Sequence, residues 1–100
     1  MQPGVFSFAA QLKAARAITG WSQGELSDRS GVSRPTIARI EALIMQPRLD
    51  TVAKLKQTFL TAGVQILDGE PRGGFSIIVD EGTLAGLLHT HETMLTKKGD

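Results

Sequence analysis

Two closely spaced helix starts constrain the fold of this chain more than any other feature. Ser22 is followed three residues later by Glu25, which is the spacing of a capping box at the start of a helix. Ser33 is suited to cap a second helix, and Pro35 falls in its first turn, where a proline loses no hydrogen bond. Gly31 lies between them and can adopt positive φ without steric cost. The sequence therefore predicts two short helices joined by a tight turn, a helix-turn-helix.

Apolar spacing predicts two more helices around this pair. The first runs from about residue 7 to residue 19, and Gly20 is suited to end it. The helix after the turn is expected over 33–44, and its buried stripe consists of Ile37, Ile40 and Ile44. A fourth helix is expected to be capped by Asp50 and to end at Gly63. Its expected inward residues are Val52, Leu55, Phe59 and Leu60.

The residues on the face of the 33–44 helix opposite the isoleucines indicate that this face binds in the major groove of double-stranded DNA. The predicted base-reading residues are Arg34, Pro35, Ala38 and Arg39. Arginine donates two hydrogen bonds to guanine, and a small residue such as Ala38 allows close approach and contacts the thymine methyl group. The predicted phosphate-binding residues are Gln23, Ser33 and Thr36, with the free N–H groups at the start of the preceding helix. A solvated arginine surface and a simple cap at Ser33 are the alternatives.

The stretch RAITGWSQGELSDRSGVSRPTIARIEALIMQPRLDTVAKL resembles the Xre-type, phage-repressor-like helix-turn-helix family. The matching parts are the WSQ opening, SGVS with the following isoleucines and glutamate, and the PRLDT segment, and the resemblance covers about residues 8–67. It implies operator binding by dimers, often as repressors. It also places the phosphate-contacting glutamine at Gln23 and base-reading positions at residues 34, 35, 38 and 39. Finally, it implies a structural ion pair between Arg16 and Glu41, which does not contact DNA.

The chain departs from the family pattern in and after the recognition helix. Family members usually carry glycine two residues after the glutamate, and this chain has Leu43. We therefore expect a different end to the helix and greater exposure of Leu43–Met45, a potential partner surface. Pro35 is unusual at a base-reading position, and only apolar contact is open to it.

The last third of the chain predicts a β-hairpin over about 64–68 and 74–79, because two β-rich segments flank a turn-rich loop. A short terminal helix is expected from the spacing of Leu84, Leu87, Leu88, His91 and Leu95. The expected fold is mainly α: a phage-repressor-like bundle of four to five helices with a C-terminal hairpin. We divide it into a DNA-binding domain, 1–63, and a candidate dimerisation element, 64–100.

Composition supports a DNA ligand and argues against other classes. Residues 1–64 carry eight basic and four acidic residues, a net charge of +4, whereas residues 65–100 carry three and six, a net charge of −3. The chain has no cysteine, and His89 and His91 are two residues apart, so no metal site or cofactor is expected. No apolar run spans a membrane, no secretory signal is expected, and the predicted location is cytoplasmic. No catalytic constellation is recognisable, so an enzyme is not expected.

Two functions remain open at this point. The first is a sequence-specific transcriptional regulator, expected to be a repressor, that binds operator DNA as a homodimer. The second is an antitoxin or protein-binding adaptor that uses the C-terminal segment and Leu43–Met45 to hold a toxin or another protein partner.

Overall fold

The computed structural model describes residues 3–87, with side chains from Ser7 onward. The elements in chain order are α1 (Pro3–Thr19), α2 (Gln23–Ser30), α3 (Arg34–Glu41), α4 (Leu49–Thr61), β1 (Val64–Asp68) and β2 (Phe75–Val79). A fifth helix, α5, covers residues 81–87. This architecture confirms the predicted mainly helical fold with a hairpin. The predicted helical positions Leu88, His91 and Leu95, and His89, lie outside the described residues.

The caps that bound α2 and α3 form as their local sequence requires. Ser22 Oγ accepts the Glu25 N–H at 3.0 Å, and Glu25 Oε1 accepts the Ser22 N–H at 3.3 Å. Gly31 ends α2 with a φ of 77°. Ser33 Oγ then accepts the Thr36 N–H at 3.3 Å and starts α3. Two helices are thus joined through one left-handed glycine, which fixes α3 relative to α2.

The end of α3 differs from the prediction. The helix was expected to reach residue 44, but it ends at Glu41, and Leu43 adopts a φ of 62°. This left-handed residue turns the chain away from the helix axis, so Ile44 no longer continues the stripe of Ile37 and Ile40. The prediction that Ile44 is buried is therefore wrong: its side chain is 76% exposed.

The start of α4 also differs from the prediction. The helix begins at Leu49, so Arg48 occupies the N-cap position, without a side-chain capping bond, and Asp50 is not the cap. Asp50 instead lies in the first turn, where a negative charge is favourable. Leu60 was predicted to face inward, but it is 47% exposed because it lies at the edge of the stripe that buries Leu55 and Phe59.

The hairpin covers one side of the helical core. The strands are antiparallel, with Val64 opposite Val79 and Asp68 opposite Phe75. Alternation along each strand places Val64, Ile66, Ile77 and Val79 on one face, and this face packs against the core. The buried apolar residues of the core are Phe8, Leu12, Ala15, Leu26, Val32, Ile37, Ile40, Leu55, Phe59 and Val64. The buried residues of α3 pack in this core together with residues of α2 and the hairpin. The face of α3 opposite Ile37 and Ile40 is therefore turned outward.

Candidate nucleic-acid interface

The outer face of α3 carries the four predicted base-reading residues. Arg34, Pro35 and Arg39 are exposed, and Ala38 is half-buried between them. Within the side chains described, residues 7–87, neither the Arg34 nor the Arg39 guanidinium takes part in a salt bridge or a hydrogen bond. This face therefore presents two cations and one small side chain to solvent, which suits contact with base edges.

Arg34 lies close to the start of α2. A Cβ atom placed on Gly24 would be 3.9 Å from Arg34 Nη1. The guanidinium group therefore stands beside the first turn of α2, where backbone N–H groups already favour an anion. Arg39 lies more than one turn further along α3, and its side chain is not among the atoms within 4 Å of a Cβ placed on Gly24.

Ser33 and Thr36, two of the predicted phosphate ligands, contact each other at the start of α3. Their hydroxyl oxygens are 2.8 Å apart, and Ser33 Oγ also accepts the Thr36 N–H. Ser33 is exposed and Thr36 is half-buried. Each hydroxyl therefore serves the capping turn and retains hydrogen-bonding capacity for an external group.

Arg16 and Glu41, the two residues of the predicted ion pair, are in direct contact. Arg16 Nε lies 2.7 Å from Glu41 Oε2, and Arg16 Nη2 lies 2.7 Å from Glu41 Oε1, which is a bidentate geometry. Arg16 Nη1 also donates to the carbonyl oxygen of Trp21 at 3.0 Å. Glu41 is only 5% exposed, so the pair links α1, the α1–α2 turn and the end of α3 inside the domain.

Gln23 joins this pair and is not simply solvent-facing. Its Nε2 donates to Glu41 Oε1 at 3.1 Å, and its side chain is half-buried. The family resemblance implies the Arg16–Glu41 pair, but the sequence offers no signal for a third member 18 positions away from Glu41. We call the connected side chains of Arg16, Gln23 and Glu41 the polar network.

The polar network changes the protonation of its members. Burial by itself raises the pKa of Glu41, but the hydrogen bonds from Arg16 and Gln23 outweigh burial, and the pKa lies below its usual value. The hydrogen bond to Glu41 raises the pKa of Arg16, against the opposing effect of burial. Both groups are therefore charged at neutral pH, and the two charges balance each other.

Trp21 and Arg29 form a contact that the sequence analysis does not anticipate. The Trp21 ring stacks on Phe59 with ring centroids 5.3 Å apart, and the Arg29 guanidinium carbon lies 4.4 Å above the Trp21 ring centre. The Trp21 ring thus lies between an arginine of α2 and a phenylalanine of α4. Trp21 lies in the α1–α2 turn and Arg29 lies near the end of α2, and no local spacing rule in the sequence predicts that they meet.

The described part of the chain contains no group of three or more histidine, cysteine, aspartate or glutamate side chains placed to hold a metal ion. The two histidines considered in the sequence analysis are at positions 89 and 91, outside that part. Among the described helices, none has the length and apolar character needed to cross a membrane.

Residues 12–59 match the family model described as helix-turn-helix. The match begins in α1 and ends in α4, so it includes α2, α3, the polar network and all four predicted base-reading residues. No curated protein and no solved structure shows a significant match to the chain.

Proposed function

We propose that this chain is a DNA-binding regulator that binds a specific operator as a homodimer and represses transcription. The match of residues 12–59 to the helix-turn-helix family model, which is Xre-type and phage-repressor-like, supports the proposal. The observation that carries the proposal is the outer face of α3, where Arg34 and Arg39 are exposed and free of internal ion pairs within residues 3–87. The family is regulatory and not typically enzymatic. We also propose a cytoplasmic location, because the ligand is the cell's DNA.

Base recognition is assigned to α3 in this proposal. Arg34 and Arg39 donate to base edges, Ala38 allows close approach, and Pro35 makes apolar contact. In support, Ile37 and Ile40 are fully buried on the other side of the same helix, so the polar side must face outward. A bidentate arginine–guanine pair discriminates against the wrong base by about 1–3 kcal/mol.

Phosphate binding is assigned to the start of α2 and to the turn before α3. Gln23, Ser33 and Thr36 supply side-chain groups, and the first turn of α2 supplies backbone N–H groups. Such contacts fix the register of the protein on the duplex without reading sequence.

The dimer is assigned to the C-terminal element, residues 64–100, which follows the DNA-binding domain of residues 1–63. Within residues 3–87, the two-stranded hairpin has both of its outer edges unpaired, and Ile78 and Leu84 are exposed apolar side chains. A two-fold dimer would place two copies of α3 about 34 Å apart, in successive major grooves, and would require a palindromic operator.

A selection from random duplex DNA tests these assignments together. We expect a palindromic consensus whose half-sites are one helical turn apart. If the selected duplexes share no consensus, the sequence-specific part of the proposal is wrong. If the consensus is a single half-site, the dimeric part is wrong.

Single substitutions then separate base reading from phosphate binding. Arg39→Ala should weaken the best operator by about 1–3 kcal/mol and relax selectivity at one base pair. Gln23→Ala should weaken all sequences alike, and Lys54→Ala on α4 is the matched surface control. Equal weakening of all sequences by Arg39→Ala would instead assign Arg39 to phosphate.

The second candidate function is an antitoxin or adaptor that holds a partner protein. Two exposed apolar side chains support this candidate: Ile44 is 76% exposed and Leu49 is 89% exposed. Ile44 lies within the Leu43–Met45 segment expected to be exposed, but the expectation is wrong for Leu43 and Met45, which are half-buried, and Met45 packs against the core. The antitoxin function would be supported if the purified protein binds a toxin encoded next to it and if Ile44→Glu abolishes that binding. Absence of DNA binding at low salt would favour the adaptor function.

A further inference from the structure

We infer that Glu41 is a positioning residue that holds the Gln23 side chain for its contact with a DNA phosphate. Through this bond, the polar network inside the domain contributes to affinity for the DNA backbone. The inference rests on the proposed function, since it requires that Gln23 binds phosphate.

The first argument is the geometry around Glu41 Oε1. This oxygen accepts from Arg16 Nη2 at 2.7 Å and from Gln23 Nε2 at 3.1 Å. Arg16 is in turn held by Glu41 Oε2 and by the Trp21 carbonyl, two residues before Gln23. The acceptor that Gln23 uses is therefore itself fixed at several points, and Gln23 is tied to a rigid part of the domain.

The second argument concerns what remains of the Gln23 amide. A carboxamide nitrogen carries two N–H groups, and the bond to Glu41 uses one of them. Because a carboxylate only accepts, Nε2 must face Glu41, and the second N–H has a defined direction before DNA arrives. A glutamine side chain loses considerable rotamer freedom when it is immobilised, so immobilisation in the free protein lowers the cost of binding.

The third argument concerns charge. A lone carboxylate in contact with Gln23 would repel a phosphate, but the bidentate bond to Arg16 balances it. The Arg34 guanidinium stands beside Gly24, the residue that follows Gln23. The Glu41 charge that the amide contacts is therefore balanced, and a positive charge lies beside the neighbouring residue, which suits an incoming anion.

The experiment compares the effect of Gln23→Ala in two backgrounds. The first background is the wild type, and the second carries Arg16→Met together with Glu41→Met. This pair removes one positive and one negative charge, so the net charge is unchanged, and apolar replacement of a buried ion pair is often tolerated. Affinity for the selected operator is measured by fluorescence anisotropy at several salt concentrations, after far-UV circular dichroism has verified folding.

We expect Gln23→Ala to lower affinity about tenfold in the wild type, the effect of one charge-assisted hydrogen bond, and less than threefold in the second background. Arg39→Ala is the matched control and should cause the same loss in both, because Arg39 is not part of the polar network. An equal loss for Gln23→Ala in both backgrounds would overturn the inference, as would no effect in the wild type. Absence of binding to any duplex would instead refute the proposed function.

Nuclear magnetic resonance of the wild-type chain provides a test that does not depend on the folding of the variants. We expect the Gln23 side-chain N–H that bonds to Glu41 to resonate clearly downfield of the ordinary glutamine position in the free protein, and this shift to persist when operator DNA is added. A side chain that averages over several rotamers without DNA, or that leaves Glu41 on binding, would contradict a positioning role for Glu41.

Discussion

Gly63 and Thr83 approach each other so closely that a Cβ atom on Gly63 would lie 2.3 Å from Thr83 Oγ1. Gly63 follows α4 and has a φ of 89°, and Thr83 is in the first turn of α5. Asp80 Oδ1 accepts the Thr83 N–H at 2.7 Å and so fixes that turn. The contact joins the end of the helical bundle to the start of α5, which belongs to the proposed dimerisation element.

Replacement of Gly63 should therefore be unusually costly. In Gly63→Ala, the positive φ costs about 1–2 kcal/mol, and the overlap with Thr83 adds about 1–3 kcal/mol. The control is Gly69→Ala, where φ is 80° but, among the described residues other than its two chain neighbours, no atom lies within 4 Å of the added Cβ. Urea unfolding measures both variants, and equal losses would show that the Thr83 contact is easily relieved.

At position 43, glycine should give a more stable protein than alanine, in contrast to an ordinary position at the end of a helix. Its φ of 62° strains any L-residue with a Cβ, and glycine relieves that strain at some cost in entropy. Leu43→Gly should be more stable than Leu43→Ala by about 1 kcal/mol in thermal or urea unfolding. Ala42→Gly is the control, because φ is −84° there and glycine should bring no gain. If Leu43→Ala were the more stable variant, the left-handed turn would not exist in solution.

Arg34 can be distinguished from a phosphate ligand by its salt dependence. If Arg34 reads a base, Arg34→Ala should weaken binding to the best operator by about 1–3 kcal/mol and binding to other duplexes by less. The contact with α2 offers a specific alternative, in which the loss is uniform and the slope of log affinity against log salt falls by about 1. Affinities for the operator and for a scrambled duplex, each at four salt concentrations, distinguish the two outcomes, with Lys54→Ala as the surface control.

Asp68 should make the stability of the hairpin sensitive to acid. It accepts from Lys56 Nζ and from Gln11 Nε2, the latter at 2.6 Å. The hydrogen bond from Lys56 is the main reason why the pKa of Asp68 lies below its usual value, with a further contribution from Gln11 and an opposing one from burial. A carboxyl whose pKa is lowered by folding stabilises the protein above its unfolded pKa of about 3.9, and this contribution disappears as pH falls through the folded pKa.

Urea unfolding between pH 3 and pH 7 tests this expectation. Asp68→Asn should reduce the loss of stability between pH 5 and pH 3, and Lys56→Met should do the same because it removes the main cause of the shift. The pKa of Glu41 is also lowered, so some loss in acid should remain in both variants. An unchanged acid loss in Asp68→Asn and Lys56→Met would contradict the assigned role of this pair.

The starts of α2 and α3 were predictable because their causes are local. Ser22 bonds to Glu25 and Ser33 bonds to Thr36, each three residues apart, so the spacing of residue types already contains the geometry. Gly31 adopts the positive φ that its position between two helices requires. These three features, together with the buried isoleucines, were enough to indicate which side of α3 faces solvent.

The helix-turn-helix and the exposed arginines could thus be predicted from local sequence, because hydrogen bonds within one helical turn and a 3.6-residue apolar period specify them. The end of α3, the partner of Gln23 and the packing of α5 on Gly63 became apparent from the folded structure alone. Two of these depend on atoms that folding brings together from distant positions, since Gln23 contacts Glu41, 18 residues away, and Gly63 contacts Thr83 of a later helix. The end of α3 depends on a left-handed turn at Leu43, a conformation that leucine rarely adopts. The energy of such contacts comes from packing between elements, and no spacing rule in the chain encodes it.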